Sequence, residues 1–192
     1  MSPGSLAPVG VNVTDQSSSP TRKLLGALLA LFVCVLTGTF LYIRSQGRPP
    51  GEKELTKNFY AHRDAYERLR TMLEADKQLL RLAGWGVETT GAVGVHVPPE
   101  GDFPVSRYHE YLTLLKEIGG TSAFRGKGEH SEMVGIGMWA AGWGGDTRHI
   151  DIVWTDREPP NLIASLEDYY RNRDRSHPVF RHIEGNWYLW AD

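Results

Sequence analysis

Four side chains in the C-terminal part of the chain carry groups that could bind a metal or perform acid–base catalysis. His149 and Asp151 alternate along one predicted strand, and His182 and Glu184 alternate along another. Residues two apart in a strand share a face, so adjacent strands would bring two imidazoles and two carboxylates together. The alternative is that alternating polar residues mark the wetter face of a half-covered sheet, and we prefer that interpretation.

The glycine-rich segment from Gly135 to Trp154 raises the question of a nucleotide site. Its Gly-x-Gly start resembles a dinucleotide-binding fingerprint, but that motif opens a helix, and the residues after it alternate at period two. We predict a hairpin that turns at Gly142 to Asp146. Gly135 and Gly137 would leave one strand face bare, so that a neighbouring group could lie close. We expect neither a cofactor nor a metal.

Length and charge restrict the classes of function. The chain has 192 residues and a net charge of −2, with acidic and basic residues mixed along it. A nucleic-acid-binding protein needs a basic patch or stripe, so we expect no nucleic-acid partner. Residues 1–21 are rich in Ser, Pro and Gly and contain few large apolar groups. A segment of this composition buries too little apolar surface to offset the entropy that it would lose on ordering. We therefore predict a disordered tail there.

The strongest signal in the sequence is the uncharged apolar stretch from Leu24 to Ile43, which Arg22, Lys23 and Arg44 flank. A helix needs about 20 apolar residues to cross a bilayer, whereas a cleaved signal peptide has an apolar region of about 7–15 residues. We therefore predict a transmembrane anchor helix at residues 22–45 that contacts the lipid bilayer. A short tail before the span and a domain after it favour a domain outside the cytoplasm. The rule that basic residues flank the cytoplasmic end hardly decides the orientation, because basic residues lie on both sides of the span.

After a Gly/Pro linker at residues 46–51, we predict a single α+β domain at residues 52–192. Its helices are a long one from Glu52 to about Leu82, based on apolar residues spaced three and four apart, and two shorter ones, Phe103 to Ile118 and Asn161 to about Arg171. The sheet is expected to be antiparallel, with about five strands, one of them at Val93 to Val97.

The chain closes with a predicted hairpin whose turn is Gly185-Asn186, since a type II′ turn requires glycine first. That turn would place Glu184 opposite Trp187 and His182 opposite Leu189. Phe180, His182, Glu184, Trp187 and Leu189 would then share one face of the hairpin. Both faces would be largely apolar, so we expect this hairpin to be covered on both sides or to meet a partner.

The run from Arg181 to Leu189, together with the helix sequence FYAHRDAYERLRTMLEAD, resembles a group of small uncharacterised bacterial envelope proteins that carry a single membrane anchor and end in a strand pair of this type. The resemblance covers roughly Phe59 to the C-terminus. It implies a bacterial envelope protein and assigns no catalytic residue, because no activity is known for the group.

Two classes of function remain open. The leading interpretation is a non-catalytic binding or interaction module at the inner (plasma) membrane, with a protein partner at the envelope; an immunity-type protein that neutralises a toxin is one specific form. The tyrosines and tryptophans of this chain could serve as anchors at a protein interface or pack in the core of the domain. The alternative is an envelope hydrolase that uses the His/Asp/Glu cluster on the sheet. A pocket that gathers those side chains would favour the hydrolase, and an exposed aromatic patch would favour the binding module.

Overall fold

The structure is a computed structural model that describes Leu24 and residues 28–39, 48–127, 132–142, 147–172 and 177–192. The chain divides into two compact units, Met1–Ser45 and Gln46–Asp192. In the first unit residues 28–39 form a helix, α1, whose side chains are exposed. The predicted tail and part of the predicted span lie outside the described residues. Among the helices that are described, none combines the length and the apolar character that a membrane crossing requires.

The second unit contains four helices and seven strands within its described residues, which confirms the α+β class. Its helices are α2 (Glu52–Ala61), α3 (Arg63–Ala75), α4 (Val105–Ile118) and α5 (Leu166–Asn172). Its strands are β1 (Leu79–Ala83), β2 (Gly86–Thr89), β3 (Ser122–Lys127), β4 (Glu132–Ala141), β5 (Arg148–Thr155), β6 (Val179–Glu184) and β7 (Trp187–Ala191). All seven form one antiparallel sheet in the order β2-β1-β3-β4-β5-β7-β6, two strands more than predicted.

The predicted long helix from Glu52 to about Leu82 is wrong in two places. His62, with φ −123° and ψ 27°, interrupts it and separates α2 from α3. The helix then ends before Asp76, and the chain enters β1. Leu79 and Leu82 fit helical spacing, but they are buried in a bulged strand that pairs with β2 and β3. Sheet pairing therefore overrides a periodicity that does not itself distinguish a bulged strand from a helix.

The predicted strand at Val93 to Val97 does not form. Val93 is 99% exposed, and the segment is joined to the sheet by a single antiparallel bridge between His96 and Val87. The alternating valines therefore do not mark a buried face, and β2 is left as the edge of the sheet beyond that one bridge. Alternation predicts a strand only where a partner strand is available along its length.

The last helix begins at Leu166, so its predicted start at Asn161 is wrong. Asn161 has φ 57°, and its carbonyl accepts a hydrogen bond from the Phe180 amide at 3.1 Å. The Ile163 amide in turn donates to the Phe180 carbonyl at 2.9 Å. Because these backbone groups form hydrogen bonds with β6, they are not available for hydrogen bonds within a helix. Ser165 supplies the helix start instead, because its hydroxyl accepts from the Asp168 amide at 3.3 Å.

The β4–β5 and β6–β7 pairings confirm the two predicted hairpins. The first turn, predicted at Gly142 to Asp146, lies outside the described residues apart from Gly142. In the second, Gly185 has φ 55° and Glu184 faces Trp187 as expected. The register then shifts, so that His182 faces Tyr188 instead of Leu189. One extra residue in a strand reverses the faces that follow it, and the predicted grouping of β6 and β7 side chains is therefore wrong.

The helices α2 to α5 all pack against one face of the sheet, where the main core lies. An aromatic cluster holds α2, α3 and β7 together: the Phe59 ring lies 5.3 Å from that of Tyr66 and 5.5 Å from that of Trp187. The Trp187 indole nitrogen also donates to a Glu67 carboxylate oxygen at 2.8 Å. Because β7 runs between β5 and β6, this contact ties the helices to the C-terminal half of the sheet.

Candidate functional site

The opposite face of the sheet, here called the open face, carries a second and smaller apolar cluster to which no described helix contributes. Its members are the buried Val153, Phe180 and Tyr188 and the half-buried Phe124, Met133 and Trp190. Phe124 comes from β3, Met133 from β4, and the remainder from β5, β6 and β7. The open face therefore presents aromatic and apolar side chains from five neighbouring strands beside polar groups of the same strands.

Two glycines of β4 make room for side chains on the open face. A Cβ atom on Gly135 would collide with the Phe124 ring, and one on Gly137 would collide with the Ser122 hydroxyl and lie 3.6 Å from a carboxylate oxygen of Asp151. Ser122, Gly137 and Asp151 stand side by side in the registers of β3, β4 and β5. The prediction that these glycines leave a bare strand face for a close neighbour is confirmed.

Beside Gly137 the open face contains a groove of about 410 Å³, here called the Asp151 groove. The lining side chains that matter for its chemistry are Arg81, Phe124, His149, Asp151, Trp190 and Asp192. They come from β1, β3 and β5 and from the end of β7. Trp190 lies directly opposite Asp151 in the pairing of β5 with β7, so an indole ring and a carboxyl group border the groove together.

Asp151 is the most unusual polar group of this groove. Its side chain is only 4% exposed, and no hydrogen bond or ion pair links its carboxyl group to any other residue in the described ranges. The pKa of Asp151 is raised to about 8, first by burial and then by the negative charge of Asp192, while the positive charge of Arg81 opposes the shift. Asp151 is therefore mostly protonated at neutral pH.

Asp76, a half-buried acid of the same domain, is a useful comparison for Asp151. Asp76 accepts hydrogen bonds from the Arg107 guanidinium at 2.8 Å and from the Tyr111 hydroxyl at 2.9 Å. A carboxylate with two such donors is compensated for the water it has lost. Asp151 is more deeply buried than Asp76 and lacks comparable donors, which makes its position unfavourable for stability alone.

Asp192 brings another carboxyl group to the groove. The His149 amide donates to a carboxylate oxygen of Asp192 at 2.6 Å, and the Asp192 amide donates to the His149 carbonyl at 3.4 Å. These two bonds hold the end of β7 against the start of β5. The groove thus contains three carboxyl groups, those of Glu88, Asp151 and Asp192, and one imidazole beside an aromatic wall. Such an arrangement could bind a cation or transfer a proton.

The arginines near the groove are engaged by other groups. The Arg81 guanidinium lies over the Trp85 ring, 5.5 Å from its centroid. Arg125 donates to the Leu73 carbonyl at 3.4 Å and lies 4.0 Å from the Glu132 carboxylate. Neither makes an ion pair with Asp151 or Asp192 among the described residues. The field of Arg81 reaches Asp151, but the arginines leave its carboxyl group without a direct countercharge.

Of the four residues singled out in the sequence, the structure brings two together. His149 and Asp151 line the groove. His182 and Glu184 lie on β6, which β7 separates from β5. Glu184 pairs with Arg63 of α3 at 2.9 Å, on the helix side of the sheet. The four side chains therefore do not form one cluster, because the two strands that carry them are not adjacent.

His182 stays on the open face but outside the groove. Its ring centroid lies 5.2 Å from that of Tyr188, and its Nε2 lies 2.9 Å from the Gly185 carbonyl oxygen. Within the part of the chain that the structure describes, no group of three or more His, Cys, Asp or Glu side chains is arranged to hold a metal. The contacts of His182 with the Tyr188 ring and the Gly185 carbonyl oxygen thus account for its position.

Sequence reasoning missed Arg81, Glu88, Phe124, Trp190 and Asp192 as groove residues. Asp192 and Trp190 alternate with Tyr188 in the closing strand, which places them on one face of β7. That β7 pairs with β5, however, is not visible from local sequence, because the two strands are separated by α5 and β6. The spacing of Gly135 and Gly137 was the one local signal of a close approach on this face.

Comparison of the chain with protein-family models, with curated proteins and with solved structures finds no match.

Proposed function

We propose that this chain is a membrane-anchored binding module of the cell envelope that recognises a protein partner through the open face of its sheet. The observation that carries this proposal is Asp151, a buried carboxyl group without a direct partner that borders an open groove. Side chains that destabilise a fold are expected mainly at functional sites. The adjoining aromatic side chains support the same proposal, since Trp and Tyr are enriched at protein interfaces.

A hydrolase is the second candidate, and the raised pKa of Asp151 is the observation that favours it. A general acid must hold its proton near neutral pH beside a second carboxyl group. The raised pKa of Asp151 meets the first condition, and Asp192 in the same groove meets the second. The binding module is preferred because His182 and Glu184 lie away from the groove. A hydrolase would turn over a substrate and lose turnover, but not substrate binding, in Asp151→Asn.

The anchor forms part of the proposal. We infer that Leu24 to Ile43 crosses the inner (plasma) membrane once and that the domain lies outside the cytoplasm. The supporting observation is an uncharged stretch of about the length that a bilayer requires, bounded by basic residues on both sides. A reporter that is active only outside the cytoplasm, fused after Asp192, should therefore be active. A silent external reporter beside an active cytoplasmic one would contradict this orientation.

The binding function is tested by capture from detergent-solubilised membranes with the full-length chain as bait. Trp190→Ala removes a half-buried ring from the open face and should weaken capture at least tenfold, because truncating an aromatic anchor of an interface costs about 2 kcal/mol or more. Tyr60→Ala is the matched control, since Tyr60 is an aromatic residue of α2, 52% exposed, and contributes nothing to the open face.

The proposal requires that the wild-type chain and Tyr60→Ala retain the same partner and that Trp190→Ala loses it. Melting curves of the three chains check that all are folded. If a folded Trp190→Ala chain captures the partner as strongly as the wild type, or if the wild type captures no protein whose binding depends on Trp190, the open face is not the recognition surface.

A further inference from the structure

We propose that the Asp151 groove binds a basic side chain of the protein partner, with Asp151 and Asp192 as its counterions and the Trp190 ring as one wall. This inference rests on the proposed function and specifies the chemistry of the partner. The cationic group would be a lysine ammonium or an arginine guanidinium, since both combine a positive charge with an apolar stem that fits a groove lined by aromatic rings.

The carboxyl group of Asp151 has no direct countercharge among the described residues. Asp151 is only 4% exposed, and it borders the groove. The carboxyl group lies beside Gly137, since a Cβ atom added there would lie 3.6 Å from an Asp151 carboxylate oxygen. A buried carboxylate without a countercharge is costly, whereas one that is paired and hydrogen-bonded is not. A cation placed in the groove would supply the charge that the described residues do not supply directly.

The charged groups around Asp151 also favour a cation in the groove. From β2 the groove is bordered by Glu88, from β5 by His149 and from the end of β7 by Asp192. The two cationic residues at the groove are Arg81 of β1 and Arg125 of β3, whose contacts with Trp85, Leu73 and Glu132 are described above. The groove is thus lined by three acids, Glu88, Asp151 and Asp192, and by two arginines that contact other groups. This balance favours a positive charge in the groove.

The aromatic wall of the groove favours a cation as well. Trp190 stands opposite Asp151 in the pairing of β5 with β7, and Phe124 lines the same groove. A cation within about 6 Å of an indole centroid is attracted by the ring, and a guanidinium also stacks on it. This chain already uses that interaction elsewhere, since the Arg70 guanidinium lies 5.0 Å above the Trp154 ring. Carboxyl and indole groups together therefore favour a cation over a neutral group.

Proton linkage provides a distinguishing signature. A bound cation stabilises the ionised form of Asp151, whereas the free protein holds a proton there up to a pKa of about 8. Binding at pH 7 must therefore release a proton, and the affinity must rise as pH rises towards 9. With roughly a tenth of Asp151 ionised at pH 7, we expect the dissociation constant to fall roughly tenfold between pH 7 and pH 9.

The experiment titrates the full-length chain in detergent micelles with a capped Gly-Gly-Arg-Gly-Gly peptide, and follows the Trp190 indole signal by NMR. The neutral control peptide carries citrulline, which has almost the same shape as arginine; a lysine peptide and its norleucine counterpart form the second pair. We expect saturable binding of the arginine or the lysine peptide that tightens about tenfold from pH 7 to pH 9. The neutral peptides should cause no saturable shift.

Two variants make the assignment specific. Asp151→Asn should abolish both the binding and its pH dependence, and Glu184→Gln should leave both unchanged, because Glu184 pairs with Arg63 away from the groove. Three results would overturn the inference: no saturable binding of either basic peptide, equal binding of a basic peptide and its neutral counterpart, or a folded Asp151→Asn chain that binds as the wild type does.

The two proposals fail separately. If capture of the partner depends on Trp190 but the basic peptides do not bind, the binding module stands and the basic-side-chain inference is overturned. If a basic peptide binds through Asp151 but no Trp190-dependent partner is captured, the groove is a cation site and the proposed recognition surface is wrong.

Discussion

Replacing Trp187 with alanine is expected to lower the free energy of unfolding by about 3–5 kcal/mol, the range for truncating a buried aromatic side chain. Trp187 is 2% exposed and joins the helices to the sheet through Phe59, Tyr66 and Glu67. A typical domain is stable by only about 5–15 kcal/mol, so this one change removes a large share of the total. Deleting residues 187–192 should abolish cooperative unfolding altogether.

Thermal and urea denaturation of the full-length chain measure this effect. Trp85→Ala is the matched control, because Trp85 lies in the turn between β1 and β2 and is 50% exposed; its loss should change stability by less than about 1 kcal/mol. The alternative, that the closing strand is a free tail available to a partner, predicts that Trp187→Ala melts with the wild type. Such a result would contradict the central place of β7 in the sheet.

The second large effect concerns pH and Asp151. The pKa of Asp151 is raised to about 8 in the folded state, mainly by burial and then by Asp192, whereas an unfolded aspartate titrates near pH 4. The folded chain therefore holds a proton that the unfolded chain releases, and the wild type loses stability as pH rises from about 4 through 8. By pH 7 this loss reaches at most ~4 kcal/mol relative to pH 4.

Asp151→Asn removes that titration while keeping nearly the same shape. The variant should gain stability relative to the wild type progressively between pH 4 and pH 8, and the difference should level off above pH 8. Urea denaturation of both chains at pH 4, 6, 7 and 9 gives the difference directly, and Glu184→Gln serves as the control for loss of a surface carboxyl group. A difference between Asp151→Asn and wild type that does not change with pH would show that Asp151 is ionised throughout.

Features with local causes were predictable from the sequence. The helix predicted at Phe103 to Ile118 is observed at Val105–Ile118 and ends at Gly119, which has φ 69°. Apolar spacing and a left-handed C-terminal glycine both act within a few residues. The hairpins of β4–β5 and β6–β7 were predictable for the same reason, since alternation and Gly185 specify them without reference to the remaining chain.

Features that depend on distant pairing were not predictable. Leu79 and Leu82 satisfy helical spacing and become strand residues only because β2 and β3 pair with them. One bulged residue before Glu184 sends His182 to the open face and Glu184 to Arg63 on the other. Alternation at period two does not show where a strand contains an inserted residue. The sequence therefore placed both side chains on strands but could not decide which face of the sheet each one occupies.

The candidate site shows the same division. By itself the sequence determined that His149 and Asp151 share a strand face, and that Gly135 and Gly137 permit a close approach to the neighbouring strand. Tertiary structure alone decided that β7 lies against β5 and brings Asp192 to Asp151. Burial and the charge of a neighbour set the ionisation of a carboxyl group, and both depend on strands far apart in the chain that meet only in the folded sheet.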